Sequence, residues 1–206
     1  MATIIKHPII NIKLDQLRNI KTNHSQFRLI MNDLAKLLIY PVLENYETKK
    51  TPEISATKKQ YQSNIYDQPI LLIPILRAGL GLLNGFSEIL PDAKIGHIGL
   101  YRDENNQIKE YLYKLPEISK NAKVILLDPM LATGASLAIA IKKLNQEGFN
   151  DISVVTLIAS EPGIKYIENI YPTVKIFSAA LDPILNEKGY IIPGLGDAGD
   201  RLFGTK

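Results

Sequence analysis

The 206-residue chain has no cysteine, no tryptophan and only three histidines. Without thiols there is no disulfide framework, no cysteine nucleophile and no thiolate metal site, and three scattered histidines do not make a metal cluster. No apolar run approaches the roughly 20 residues that a membrane-crossing helix needs. Residues 1–11 lack the basic and apolar pattern of an export leader, so the expectation is a soluble, cytoplasmic protein that engages no membrane. A strong charge of one sign is missing as well. The formal balance is +3, from 24 basic and 21 acidic residues, and the lysines are spread along the chain, which argues against a nucleic-acid face. No internal repeat or low-complexity tract is visible. With 46% hydrophobic and 22% charged residues, the composition is that of an ordinary globular protein, and the length suits a single well-buried domain over residues 1–206.

The chain is organised around residues 123–148, KVILLDPMLATGASLAIAIKKLNQEG. Residues 124–127 form a short unbroken apolar run, the pattern of a strand buried on both faces, and it stops at Asp128. Small or hydroxylated residues follow. Leu137, Ile141 and Leu144 then recur at helical spacing until Gly148. A strand, a small-residue loop and a helix start make an anion cradle, because the first helical N–H groups have no intrahelical partner and the dipole favours negative charge. Thr133 and Ser136 add hydroxyls, Gly134 allows close backbone approach, and Asp128 can accept hydrogen bonds from sugar hydroxyls. The cradle therefore suits a ribose 5-phosphate. The cradle itself has neither the GxxxxGK[ST] nor the GxGxxG spacing, and many open α/β domains carry such a turn with no ligand.

Further strands are expected at residues 69–75, 94–100, 152–159 and 174–181, alternating with helices. That alternation predicts an α/β fold, an open and mainly parallel sheet with helices on both faces, and ligands beyond the carboxyl ends of the strands. A helix with Phe27, Ile30, Met31, Leu34, Leu37 and Leu38 on its core face begins at an Asn23 or Ser25 cap and ends near Pro41. Residues 7–23 do not read as a core element. Residues 44–67 are polar and read as an excursion of short strands away from the main sheet. Arg77 sits in the turn after the strand at 69–75. Beside Ala78 and Gly79 it can present a planar fork to a pyrophosphate, although a solvated surface arginine is the better reading from this residue alone. Residues 101–114 are polar and consistent with a mobile flap, and His97 reads as structural. The tail, residues 189–206, has four glycines within eleven residues, ordinarily a sign of a flexible end.

Read together, DPMLATGAS, PILRAGLG, GHIGLYRD and the tail GYIIPGLGDAGDRLFGTK resemble the type I phosphoribosyltransferases, in the form of the uracil phosphoribosyltransferase family, and the resemblance starts at His7-Pro8. It implies the type I phosphoribosyltransferase fold with a small hood formed by the C-terminal segment. It implies the reaction of uracil with phosphoribosyl diphosphate (PRPP) to give UMP and pyrophosphate, in pyrimidine salvage. Carried over residue by residue, Arg77, Arg102, Asp128, Pro129, Met130, Leu131, Ala132, Thr133, Gly134, Ala135, Ser136 and Asp197 would contact PRPP. Ile191, Gly196, Asp197 and Ala198 would contact uracil, and Arg77, Arg102 and Asp197 would act in catalysis. Mg2+ is expected through PRPP and not on a protein cage. A homodimer or higher homo-oligomer is expected, and a GTP activator is left open by the divergent residues 41–66. Two departures stand out: Leu127 where many relatives carry a second acid, and Ala135 where most carry glycine. Asp200 and Arg201 are read as a structural ion pair. A phosphoribosyltransferase-fold RNA-binding regulator is the competing class, disfavoured by the slight charge and the complete tail.

Overall fold

A computed structural model describes residues 2–104 and 107–205; Met1 and Lys206, at the ends of the expected domain, and Asn105 and Asn106, in the expected flap, lie outside the described residues. In chain order, the elements are β1 (Thr3–Ile4), α1 (Pro8–Arg18), α2 (His24–Leu43), β2 (Thr48–Ile54), β3 (Gln60–Tyr66), β4 (Ile70–Leu76), α3 (Leu80–Ile89), β5 (Lys94–Ile95), β6 (His97–Arg102) and β7 (Ile108–Lys114). They continue with β8 (Lys123–Leu127), β9 (Met130–Leu131), α4 (Ala135–Gln146), β10 (Ile152–Ser160), α5 (Glu161–Ile170), β11 (Lys175–Asp182), β12 (Ile184–Leu185), β13 (Ile191–Ile192) and α6 (Ala198–Phe203).

The main sheet runs β1-β11-β10-β8-β4-β6-β7, with β5 beside β4 and β9 beside β10. Among the described residues of this sheet, only β7 is antiparallel to its neighbour. Side chains alternate across a strand, and the central strands use both faces. Leu71, Ile73 and Ile75 of β4 with Val124 and Leu126 of β8 join the core under α4 and α5. Ile70, Leu72, Ile125 and Leu127 point the other way, into the core under α1, α2 and α3. The helices after adjacent β4 and β8 thus lie on opposite faces, which opens a crevice beyond their carboxyl ends.

Helix α2 starts at Asn23 with a reciprocal capping box: Asn23 Oδ1 accepts from Gln26 N–H at 2.9 Å, and the Gln26 side chain accepts from Asn23 N–H. Pro41 stands within its last turn. Residues 7–23, expected outside the core, instead form α1, which buries Ile10, Leu14 and Leu17 at helical spacing. Exposed Ile9 and Ile12 blur that stripe in the sequence. The excursion at 44–67 is the antiparallel β2–β3 hairpin, a sheet of its own, with every strand residue exposed except half-buried Thr51 and Ser63. The expected strand at 94–100 divides into β5 and β6 at Gly96. No helix among the described residues is long and apolar enough to cross a membrane.

Candidate active site

The loop after β8 is pinned from below. Asp128 N–H donates to Val155 O at 3.1 Å, Leu131 N–H to Thr156 Oγ1 at 3.2 Å and Ser160 Oγ to Ala132 O at 2.5 Å. Gly163 of α5 packs so tightly under Ala132 that a side chain would strike its carbonyl. These bonds satisfy the loop's backbone on the sheet side and fix its course toward α4. Gly134, at φ +79°, makes the turn into α4 and brings no capping side chain, and a Cβ there would crowd Tyr166 and Ile167. The start of this twelve-residue helix is thus available to an anion.

Asp128 begins the loop, half-buried at the carboxyl end of β8. Burial pushes its carboxyl up to about 7, opposed in part by a long 3.5 Å hydrogen bond from Met130 N–H. Arg102, at the end of β6, donates to Thr133 Oγ1 at 3.2 Å and so ties the base of the β6–β7 flap to the loop. The hydroxyl of Thr133 also accepts from Ala135 N–H at 3.4 Å.

The C-terminal segment closes the other side. Antiparallel β12 and β13 form a short hairpin, whose turn is held by Asn186 Oδ1 accepting from Lys188 and Tyr190 N–H. Asp197 caps α6, its Oδ1 accepting from Asp200 N–H at 2.9 Å. Among the described residues, Asp200 and Arg201 do not form the expected ion pair with each other. Asp200 receives Arg77 instead, at 3.3 Å, and the Thr205 hydroxyl at 2.6 Å. Arg201 donates to three backbone carbonyls, of Leu17, Asn19 and Leu195, and lies 4.5 Å from the Phe27 ring centroid. A guanidinium with five donors is better satisfied by convergent carbonyls than by the residue beside it.

Between the loop and this segment lies a cleft of about 560 Å3. Arg102, Asp128, Met130, Leu131, Ala132, Thr133, Gly134, Ala135, Ser136, Ile191, Gly196, Asp197 and Ala198 all line it. Two expected residues do not. Pro129 is buried beneath the loop, and Arg77 turns toward α6, with its guanidinium 5.5 Å from the Phe203 ring centroid and its side chain 54% exposed. Its neighbour Ala78 lines the cleft in its place. Leu137, Glu187, Lys188, Gly189, Tyr190 and Gly199 line the cleft as well. Of these, Gly189, Tyr190 and Gly199 lie inside the tail string, whereas Glu187 and Lys188 precede it and carry no signal of their own. A second cleft, of about 530 Å3, opens at the amino end of the sheet and includes Lys123, Asp151 and Lys175. It holds none of the expected site residues. Among the described residues no group of three His, Cys, Asp or Glu could hold a metal ion.

A family model described as uracil phosphoribosyltransferase matches residues 4–205. A uracil phosphoribosyltransferase of Mycoplasma mobile is 47% identical over 207 residues, covering 100% of both chains. The solved structure of the AQ2163 protein from Aquifex aeolicus superposes with a TM-score of 0.95 at 35% identity, over 100% of this chain and 99% of that one. A hypoxanthine phosphoribosyltransferase from Trypanosoma cruzi, solved with its product IMP, is similar in fold alone, with a TM-score of 0.50 at 14% identity over 79% of each chain.

Proposed function

The chain belongs to the uracil phosphoribosyltransferase family, and we propose that its cleft joins uracil to the ribose of PRPP, giving UMP and pyrophosphate in pyrimidine salvage. The reaction is a pentosyl transfer. N1 of uracil bonds to ribose C1, the bond from C1 to the pyrophosphate oxygen breaks, and the N1 proton is released. One observation carries the assignment of the site: the phosphate loop and the C-terminal segment, far apart in sequence, line the same cleft.

The loop from Met130 to Ser136 and the start of α4 receive the 5-phosphate, and Asp128 receives the ribose hydroxyls. Arg102, on the cleft wall, and Arg77, once its exposed side chain swings in from α6, stabilise the charge of the departing pyrophosphate, a task of positioning and electrostatics. Ile191, Gly196 and Ala198 offer backbone groups to the edge of the uracil ring. Asp197, the base-lobe carboxylate lining the cleft, is the protein's candidate for the N1 proton. Cytosine places an amino group where uracil has an oxygen, so a site of fixed donors rejects it.

Mg2+ fits this site as an ion carried by PRPP. Such ions keep several waters and use one or two carboxylates beside substrate phosphates, and Asp128 and Asp197 supply carboxylates at the cleft. Bound there, it would offset phosphate charge. The protein works as a single domain, with its cradle at 123–148, flap at about 101–114 and base-binding segment at 189–206; Arg102 at the foot of the flap and residues of the other two segments line the cleft. The exposed β2–β3 hairpin, carrying Ile54, Tyr61, Ile65 and Tyr66 on its surface, supports assembly into a homodimer or larger homo-oligomer. Activation by GTP rests on the resemblance and is tested by adding GTP to the assay. Phosphorylated substrates support a cytoplasmic setting.

The test is conversion of labelled uracil to UMP with PRPP and Mg2+, beside cytosine, hypoxanthine and no base. Product confined to uracil is expected. Product from hypoxanthine, or none from uracil, overturns the assignment.

A further inference from the structure

We propose that Arg18 and Asp182, which do not line the cleft, are positioning residues for the base-binding segment. Arg18 is the last residue of α1 and Asp182 the last of β11. They form a two-armed pair: Arg18 Nη1 donates to Asp182 Oδ2 at 2.6 Å and Nη2 to Oδ1 at 2.8 Å. Gly194 completes the arrangement. Its N–H donates to Asp182 Oδ2 at 2.9 Å, and its carbonyl accepts from Arg18 Nη1 at 2.9 Å. Both backbone polar groups of one glycine are thus held by the two partners of one ion pair, and Asp182 is only 5% exposed.

The glycine itself leaves little slack. Gly194 stands at φ +58°, and a Cβ on it would collide with the Ile191 carbonyl. One residue on, the carbonyl of Leu195 is held by Arg201, which also grips the carbonyls of Leu17 and Asn19 at the end of α1. Residues 194 and 195 are therefore tied to the end of α1 immediately before Gly196, Asp197 and Ala198. The inference rests on the assignment of those three residues to uracil. If they read the ring edge through backbone groups, a shift of a few tenths of an ångström at Gly194 is passed directly to them. Among the described residues the hydrogen bonds of the pair go to Gly194 and not to the loop at 128–136, which Asp182 meets only through its strand neighbour Ser160, so its disturbance falls more heavily on the base than on PRPP.

The experiment measures steady-state KM for uracil and for PRPP, with melting temperature, in wild type, Arg18→Lys, Arg18→Ala and Asp182→Asn. Lysine keeps the charge but cannot hold both Asp182 oxygens and Gly194 O in one plane. Arg18→Lys is expected to raise the uracil KM about tenfold, the scale of one strong hydrogen bond, with the PRPP KM within about twofold. Arg18→Ala and Asp182→Asn should show larger shifts in the same order, and Arg18→Lys carries the test where they fail to fold. A lowered melting temperature with an unchanged uracil KM overturns the inference, as does a parallel rise in both KM values. If the wild type makes no UMP, the reading of the site and this inference fall together. A wild type that makes UMP, with Arg18→Lys keeping its uracil KM, ends this inference alone.

Discussion

Arg77, in the turn after β4, meets Asp200, in the first turn of α6, at 3.3 Å, and so joins the proposed pyrophosphate arginine to the helix that follows the base-binding residues. Asp200 is 13% exposed on its side chain while Arg77 is 54% exposed, so the pair is only partly shielded from water. Asp200→Asn should therefore cost little stability but loosen Arg77, lowering kcat/KM for PRPP by about three- to tenfold. Arg77→Ala alone should lower it about a hundredfold, the scale of removing one donor to developing charge. In a double-mutant cycle the Asp200→Asn effect should vanish on the Arg77→Ala background. Full additivity of the two would remove the coupling.

Arg102→Ala separates catalysis from folding. Arg102 is exposed at the end of β6 and donates to an exposed hydroxyl, Thr133 Oγ1, at the mouth of the cleft, so its loss should move the melting temperature by no more than about 2 °C. Turnover should fall about a hundredfold. A melting curve recorded beside a rate measurement distinguishes this from general unfolding.

Asp128 should make both stability and PRPP binding depend on pH. Burial raises its carboxyl from 3.8 to about 7. The folded state therefore holds this proton in a range where the unfolded chain has released it. The stability that this contributes is complete below about pH 4 and is lost as pH rises through about 7. Asp128→Asn should flatten that fall in thermal melts, while weakening PRPP binding at least tenfold. Acceptance of ribose hydroxyls favours the carboxylate, so binding near pH 6 should release a proton, read by calorimetry in buffers of different ionisation enthalpy. Absence of proton release would remove Asp128 from the ribose.

Gly134→Ala tests the phosphate turn. At φ +79° a Cβ is strained whatever the space, and here it would lie 3.0 to 3.2 Å from Tyr166, Gly163 O and Ile167. A loss of about 1–3 kcal/mol in stability is expected, together with a higher KM for PRPP and a near-normal KM for uracil. Thermal melts and steady-state kinetics check both halves.

The sequence made the central layer legible because its strands are buried on both faces. An unbroken apolar run stopping at Asp128 or before Arg77 leaves little choice of element or of sheet end. Helix α1 was not legible, because Ile9 and Ile12 stay exposed and hide the spacing of Ile10, Leu14 and Leu17. Of the cleft, the loop and the tail were readable from their strings, but the direction of Arg77 was not. Which carboxylate an exposed arginine meets depends on how α6 folds back across the chain, 123 residues later. The same holds for Arg18, Asp182 and Gly194, whose contact exists only once α1, β11 and the tail have come together.

The phosphate loop and the C-terminal segment are expected to act as one site. Backbone amide NMR of the 15N-labelled protein titrated with UMP tests it most directly, since one ligand carries both the 5-phosphate and the base. Amides of residues 133–136 and of 194–198 are expected to shift together with a single dissociation constant. Shifts in only one of the two segments, or two different constants, would contradict it.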